Sequence, residues 1–115
     1  MSNKQRQQIA DALGKEGGKN ITICSVQSDA AGLAFATALK HLFEQAGWHV
    51  DGVKQLPFAK PPVGLSLVSG SYPAPDALVA AYHALVAAGL NVSQQLDMKL
   101  SGSQVELIVG GKPAE

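Results

Sequence analysis

Hydrophobic and polar positions along the chain follow two periods, one helical and one extended. Ser2 and Gln5 form a helix-capping pattern, and the short polar helix that it opens is stopped by Gly17-Gly18. The helical period predicts two further helices at 29–46 and 75–88, each followed by glycine. Runs of β-branched and other apolar residues predict five strands, at 20–26, 48–55, 63–69, 91–100 and 104–110.

An ungapped internal repeat of 42 residues relates the two halves of the chain. Repeat 1 covers about 20–55 and repeat 2 about 62–97, within a single domain that spans 1–115. The proline-rich segment Leu56–Pro62 connects them. Each repeat contains a strand, a helix and a second strand. Identical pairs in this register include Val26/Val68, Ala38/Ala80, His41/His83, Ala46-Gly47/Ala88-Gly89 and Val50/Val92.

The repeat predicts an α/β fold with duplicated β-α-β units on a mixed five-stranded sheet. Crossovers of this kind are right-handed, so the strands within each unit should be parallel. We expect the extra N-terminal helix to pack at an edge. We also expect strand 104–110 to form a C-terminal β-hairpin with strand 91–100 through Ser101-Gly102-Ser103, which would add an antiparallel edge. A ferredoxin-like α+β arrangement is the alternative.

Composition excludes several classes of partner. Nine basic residues balance nine acidic ones among 115, so no overall field would hold nucleic acid or an anionic membrane. The longest apolar run, Ala77–Leu90, is too short to span a bilayer. Residues 2–9 lack the apolar core of a signal peptide. We therefore expect no membrane span in this chain and a cytoplasmic location.

Residue types that carry catalysis are scattered. Cys24 lies inside an apolar strand, where a small buried side chain is the ordinary role. His41 and His83 occupy matching helical positions and lack second ligands at metal-binding spacing. The glycines form neither a nucleophile elbow nor a dinucleotide-binding loop. No catalytic residue, metal or cofactor is predicted, and an enzymatic role has no specific support.

Two polar corners could bind a small polar ligand. In an open α/β sheet, ligands bind beyond the carboxyl ends of strands, where helix N–H groups are available. The same residue types are ordinary turn and cap chemistry, so a structural role is the competing interpretation. The candidate residues are Gln27, Ser28 and Asp29 after the first strand, and Ser69, Gly70, Ser71 and Tyr72 after the third.

The helix at 75–88 is apolar around most of its circumference. Asp76 is the only charged residue between Lys60 and Asp97. A helix of this kind is usually covered on both sides. We predict that its outward positions form the interface of a homodimer, or that an absent segment or another protein covers them. The candidate interface residues are Val79, Tyr82, His83 and Val86.

Five segments of the chain resemble a bacterial family of uncharacterised proteins: QRQQIADAL, SVQSDAAGLAFATAL, AGWHV, PPVGLSLVSG and VELIVGGKP. In that family the module often follows one or two transmembrane helices and has no assigned activity. The resemblance implies a free-standing version or the soluble part of a membrane-tethered protein. The β-α-β-β-α-β order is also similar to SPOR repeats, which implies peptidoglycan as a ligand.

The functional expectation is a non-catalytic binding or protein-interaction module of bacterial type that self-associates. One alternative is an enzyme or effector that binds a nucleotide or another small polar ligand. A second alternative is a peptidoglycan-binding, SPOR-like domain.

Overall fold

The computed structural model of the protein describes residues 2–27, 29–57, 64–100 and 104–110. Ser28, most of the predicted connection 56–62 and the predicted turn 101–103 lie outside these residues. Helices and strands follow one another as α1 (Asn3–Gly14), β1 (Asn20–Val26), α2 (Ala30–Gln45), β2 (His49–Leu56), β3 (Leu65–Ser69), α3 (Asp76–Ala87), β4 (Val92–Leu96) and β5 (Val105–Val109).

Two parallel β-α-β units occupy the two sides of one five-stranded sheet, whose order is β2-β1-β5-β3-β4. β1 pairs in parallel with β2, and β3 pairs in parallel with β4. The α/β fold on a mixed five-stranded sheet, predicted from the sequence, is confirmed. In the ferredoxin-like alternative another strand splits the two strands of each unit, whereas here they are neighbours.

The predicted C-terminal hairpin is wrong. β5 lies in the centre of the sheet, parallel to β1 and antiparallel to β3, and it does not pair with β4. The physical reason is the apolar character of β5, whose residues Val105, Leu107 and Val109 are buried. β4 has the sequence VSQQL and is mostly exposed, which suits an edge strand.

The expectation that the first helix packs at an edge is also wrong. α1 contacts both α2 and α3, and its Ile9 and Leu13 are fully buried. Its N-terminal end is tied to the end of α3, because Gln5 Nε2 donates to the carbonyl oxygen of Ala88 at 3.1 Å. Its C-terminal end is tied beyond α2, because Trp48 Nε1 donates to the carbonyl oxygen of Leu13 at 3.0 Å. α1 therefore bridges the helices of the two units.

One apolar core joins the three helices to one face of the sheet. Ile23, Leu107 and Leu67 lie side by side on that face, on β1, β5 and β3. The opposite face carries Cys24 and Ser66, both also buried. The sheet positions α3 above β3 and β4, at one side of the molecule.

Candidate interaction site

The two predicted polar corners lie at opposite ends of the sheet. β1 runs parallel to β5, whereas β3 runs antiparallel to it. The carboxyl end of β1 therefore points one way and that of β3 the other. Gln27 and Asp29 lie at one end and the segment 69–72 at the other, so the structure does not bring the candidate ligand-binding residues together.

At the first corner, Asp29 is the N-cap of α2. Its Oδ1 accepts a hydrogen bond from the Gly32 N–H at 3.0 Å. Gly32 is buried, and a Cβ at that position would lie 2.6 Å from the Asp29 carboxylate. Gln27 donates its backbone N–H to Leu56. The Asp29 carboxylate and the Gln27 N–H therefore both have hydrogen-bond partners within the fold, which is typical of helix caps and turns.

At the second corner, Ser69 is buried and its Oγ donates to the carbonyl oxygen of Ser71 at 3.1 Å. The Ser69 carbonyl oxygen accepts from the Asp97 N–H at 2.8 Å. Gly70 is half-buried. Tyr72 is 89% exposed. The polar atoms of Ser69 thus hold the end of β3 to the residues around it.

Candidate nucleophiles are buried rather than presented to a substrate. Burial raises the pKa of the Cys24 thiol to about 11, so the reactive thiolate is disfavoured. The Ser25 hydroxyl is fully buried and has no hydrogen-bond partner among the described residues. Its position was not singled out from the sequence, because a serine within an apolar strand gives no signal of its own. Neither group can reach a solvent-borne ligand without rearrangement.

His41 and His83 lie on separate helices. His41 lines a groove of about 450 Å³ between α1 and α2, together with Arg6. His83 lies beside Tyr82, with ring centroids 6.1 Å apart. Within the ranges that the structure describes, no group of three or more His, Cys, Asp or Glu could hold a metal ion.

The outward side of α3 is a line of apolar residues. Val79 and Val86 are each 42% exposed, and Tyr82 between them is half-buried. The opposite side of the helix packs into the core through Leu78 and Leu85. We call Val79, Tyr82 and Val86 the α3 stripe. His83 is also exposed and lies next to the stripe along the helix.

The equivalent side of α2 is polar. The 42-residue register relates the α3 stripe to Thr37, Lys40 and Glu44. Lys40 Nζ and Glu44 Oε1 form an ion pair at 3.1 Å. The same position in the fold thus carries an exposed ion pair on one unit and apolar side chains on the other. The fold itself does not require an apolar surface there.

A groove of about 470 Å³ runs between the α3 stripe and the start of β4. Its apolar lining includes Tyr82, Val86, Leu90 and Val92. At the other end of β4, Leu96 and Met98 are 52% and 76% exposed. These residues are not among the interface residues predicted from the sequence, although the alternation of Leu90, Val92 and Leu96 is a signal that could have identified them.

Neither a family model, nor a curated protein, nor a solved structure matches this chain. In the part of the chain that the structure describes, no helix combines the length and the apolar character needed to cross a membrane.

Proposed function

We propose that this protein is a non-catalytic interaction module that self-associates through the α3 stripe. The observation that carries the proposal is the contrast between the two units. At the positions equivalent to the α3 stripe, α2 has Thr37, Lys40 and Glu44. A row of exposed apolar residues that is absent from the equivalent helix is typical of an interface.

The charge distribution supports the same function. α3 carries a single charged residue, Asp76, in its first turn. Two copies can therefore approach along this helix without like-charge repulsion between their stripes. The near-balance of charge over the whole chain, with nine basic and nine acidic residues, adds little long-range repulsion.

The stripe alone would give a weak dimer. Full burial of a valine contributes about 1.5–3 kcal/mol, and Val79 and Val86 are already more than half-buried. Four such side chains in a two-fold dimer contribute about 2–5 kcal/mol when the remaining surface is covered. Association itself costs about 4–15 kcal/mol. Self-association therefore requires further contacts beside the stripe.

A paired substitution tests the proposal. Val79→Glu with Val86→Glu should give a monomer with an unchanged far-UV circular dichroism spectrum, because like charges from the two copies would then meet along the stripe. The matched control is Thr37→Glu, which together with the native Glu44 places the same two charges at the equivalent positions of α2 and should leave the dimer intact. Sedimentation velocity over a range of concentrations measures the outcome. A wild-type chain that remains monomeric at high concentration would refute the proposal.

The ligand-binding alternatives have a direct test. Thermal-shift screening against nucleotides, sugar phosphates and muropeptides would expose a nucleotide-binding effector or a peptidoglycan-binding domain. A specific shift that vanishes in Ser28→Ala or Ser71→Ala would favour ligand binding at a polar corner. A self-associated protein that shows no shift with any of these compounds would favour the interaction module.

A further inference from the structure

The two edges of the sheet differ in how they are protected against pairing with another chain. β2 has a register shift between Ile21 and Ile23 of its neighbour, a glycine at φ 56°, and an exposed ion pair between Lys54 and Asp51. Bulges and charges of this kind discourage a second strand from adding to an edge. β4 pairs with β3 without a register shift and contains no charged residue. Among the described residues, nothing pairs with its outer side.

The hydrogen bonds of β4 fix which residues face outward. The Asp97 N–H donates to Ser69 on β3. The backbone N–H and C=O groups of successive residues point to opposite sides of a strand. Those of the odd-numbered residues of β4 therefore point toward β3. The even-numbered residues Val92, Gln94 and Leu96 therefore present their N–H and C=O groups at the outer edge. Their side chains lie on the same face of the sheet as the helices, since Val92 is the register partner of the core residue Leu65.

This edge is complementary to itself when turned about a two-fold axis at Gln94. An antiparallel pair centred there aligns all five residues of β4 with those of a second copy. Val92 then faces the partner's Leu96, and Ser93 faces the partner's Gln95. Beyond the strand the partner's chain turns at Met98, at the same end of the pair as Leu90. Apolar residues meet apolar residues, and Asp97 falls opposite the partner's Asn91 rather than another carboxylate.

The same axis brings exposed side chains to the groove. Leu96 and Met98 are the exposed apolar residues at one end of β4. The groove lies at the other end, lined by Leu90, Val92 and the C-terminal half of the α3 stripe. The two-fold axis places the end of one β4 beside the start of the other. The partner's Leu96 and Met98 therefore lie over the groove of the first copy, and Leu96 and Met98 of the first copy lie over the partner's groove.

We propose that a second copy of this chain docks along β4, antiparallel and centred on Gln94, so that the two sheets become one of ten strands. This inference rests on the proposed self-association and supplies the contacts that the α3 stripe lacks. Five aligned residues add backbone hydrogen bonds along the edge. The two α3 helices then lie antiparallel, side by side across the axis.

Cysteine cross-linking tests the register. In Gln94→Cys, the two introduced thiols belong to directly opposed residues, with Cα atoms about 5.5 Å apart, inside the disulfide range of about 4.4–6.8 Å. Mild oxidation should give a covalent dimer. In the control Gln95→Cys, two copies of the residue lie about 8 Å apart, so self-linking should fail. A mixture of Ser93→Cys and Gln95→Cys should link again. The native Cys24 is fully buried and does not compete.

The outcomes separate the two proposals. Cross-linking at position 94 and in the mixture, without self-linking at 95, supports edge pairing. The wild type could sediment as a dimer while Gln94→Cys and Gln95→Cys cross-link equally, or while neither of them cross-links. Either result overturns edge pairing and leaves self-association through α3 standing. A monomeric wild type overturns both. Adding Val79→Glu and Val86→Glu to Gln94→Cys should abolish the cross-link, and persistence of the link would overturn the joint interface. Circular dichroism on each variant confirms that the comparison is between folded chains.

Discussion

Replacing Trp48 by phenylalanine should loosen the bridge that α1 makes between the two units. The Trp48 indole is 3% exposed and stands edge-on to Phe43, with ring centroids 5.0 Å apart. Its Nε1–H donates to the carbonyl oxygen of Leu13 at 3.0 Å. Phenylalanine keeps an aromatic ring against Phe43 but removes this donor and fills less space.

The expected loss of stability depends on which hydrogen bonds the Leu13 carbonyl oxygen retains in the variant. That oxygen also accepts from the Glu16 N–H at 3.0 Å, so it would not be left without a partner. The loss is therefore one net hydrogen bond, about 0.5–1.5 kcal/mol. The unfilled space adds on the order of 1 kcal/mol. We expect Trp48→Phe to lower the free energy of unfolding by about 1.5–2.5 kcal/mol and Tm by roughly 6–10 °C.

Urea unfolding followed by far-UV circular dichroism measures this loss, since the variant has no tryptophan fluorescence. The matched control is His49→Phe, which introduces the same side chain at the neighbouring exposed position and should change stability by less than about 0.5 kcal/mol. A loss for Trp48→Phe no larger than that of the control would refute the role of the indole. The denaturant slope m should be unchanged, because both states keep their exposed surface.

Three further results are expected. The Cys24 thiol, with its pKa raised to about 11 by burial, should resist a disulfide reagent at pH 8 until the chain is unfolded. The folded pKa lies above the ordinary thiol value of 9.0, so the stability linked to the protonated thiol is fully present below about pH 9 and is lost as the pH rises through about 11. Cys24→Ala should lack that decline in urea titrations. Asp29→Ala should lower stability by about 1 kcal/mol through loss of the bond to Gly32, whereas Asp29→Asn should lose much less. Gly47→Ala, at φ 90°, should lower the thermal midpoint, whereas Gly14→Ala, with open space around its Cβ, should leave it unchanged or raise it.

The local elements could be predicted from the sequence because they depend on neighbouring residues. Helix spacing and the glycine after each helix predicted α2 and α3 to within a residue or two of their observed ends. The parallel pairing inside each unit followed from the handedness of β-α-β crossovers. These are short-range properties, and each of the two β-α-β units shows them.

Strand order could not be predicted in the same way. Thr22 on β1 pairs with Glu106 on β5, a contact between distant parts of the chain that no local pattern encodes. The hairpin expectation favoured the nearest neighbour in sequence. The one available signal was the contrast between VELIV, which has apolar residues on both faces, and VSQQL, which has few.

The error in strand order also changed the candidate site. Because the position of β5 in the sheet was unknown, the relative direction of β1 and β3 was also unknown. The two polar corners could therefore not be located relative to each other. The α3 stripe was accessible to prediction because it depends on one helix alone. Its pattern of burial is as expected for an outward surface, while its role as an interface stays a prediction.

The central position of β5 also sets the order in which a newly synthesised chain can mature. Both β-α-β units precede β5 along the chain, and β1 and β3 each present an unpaired edge until it arrives. During that interval a nascent polypeptide exposes two bare strand edges and the apolar side chains beside them, which is the condition for misassembly between neighbouring chains on a polysome. The arrival of β5 therefore closes both edges at once, and the protein depends on its rapid arrival more than it would if the strand formed a hairpin at one edge of the sheet.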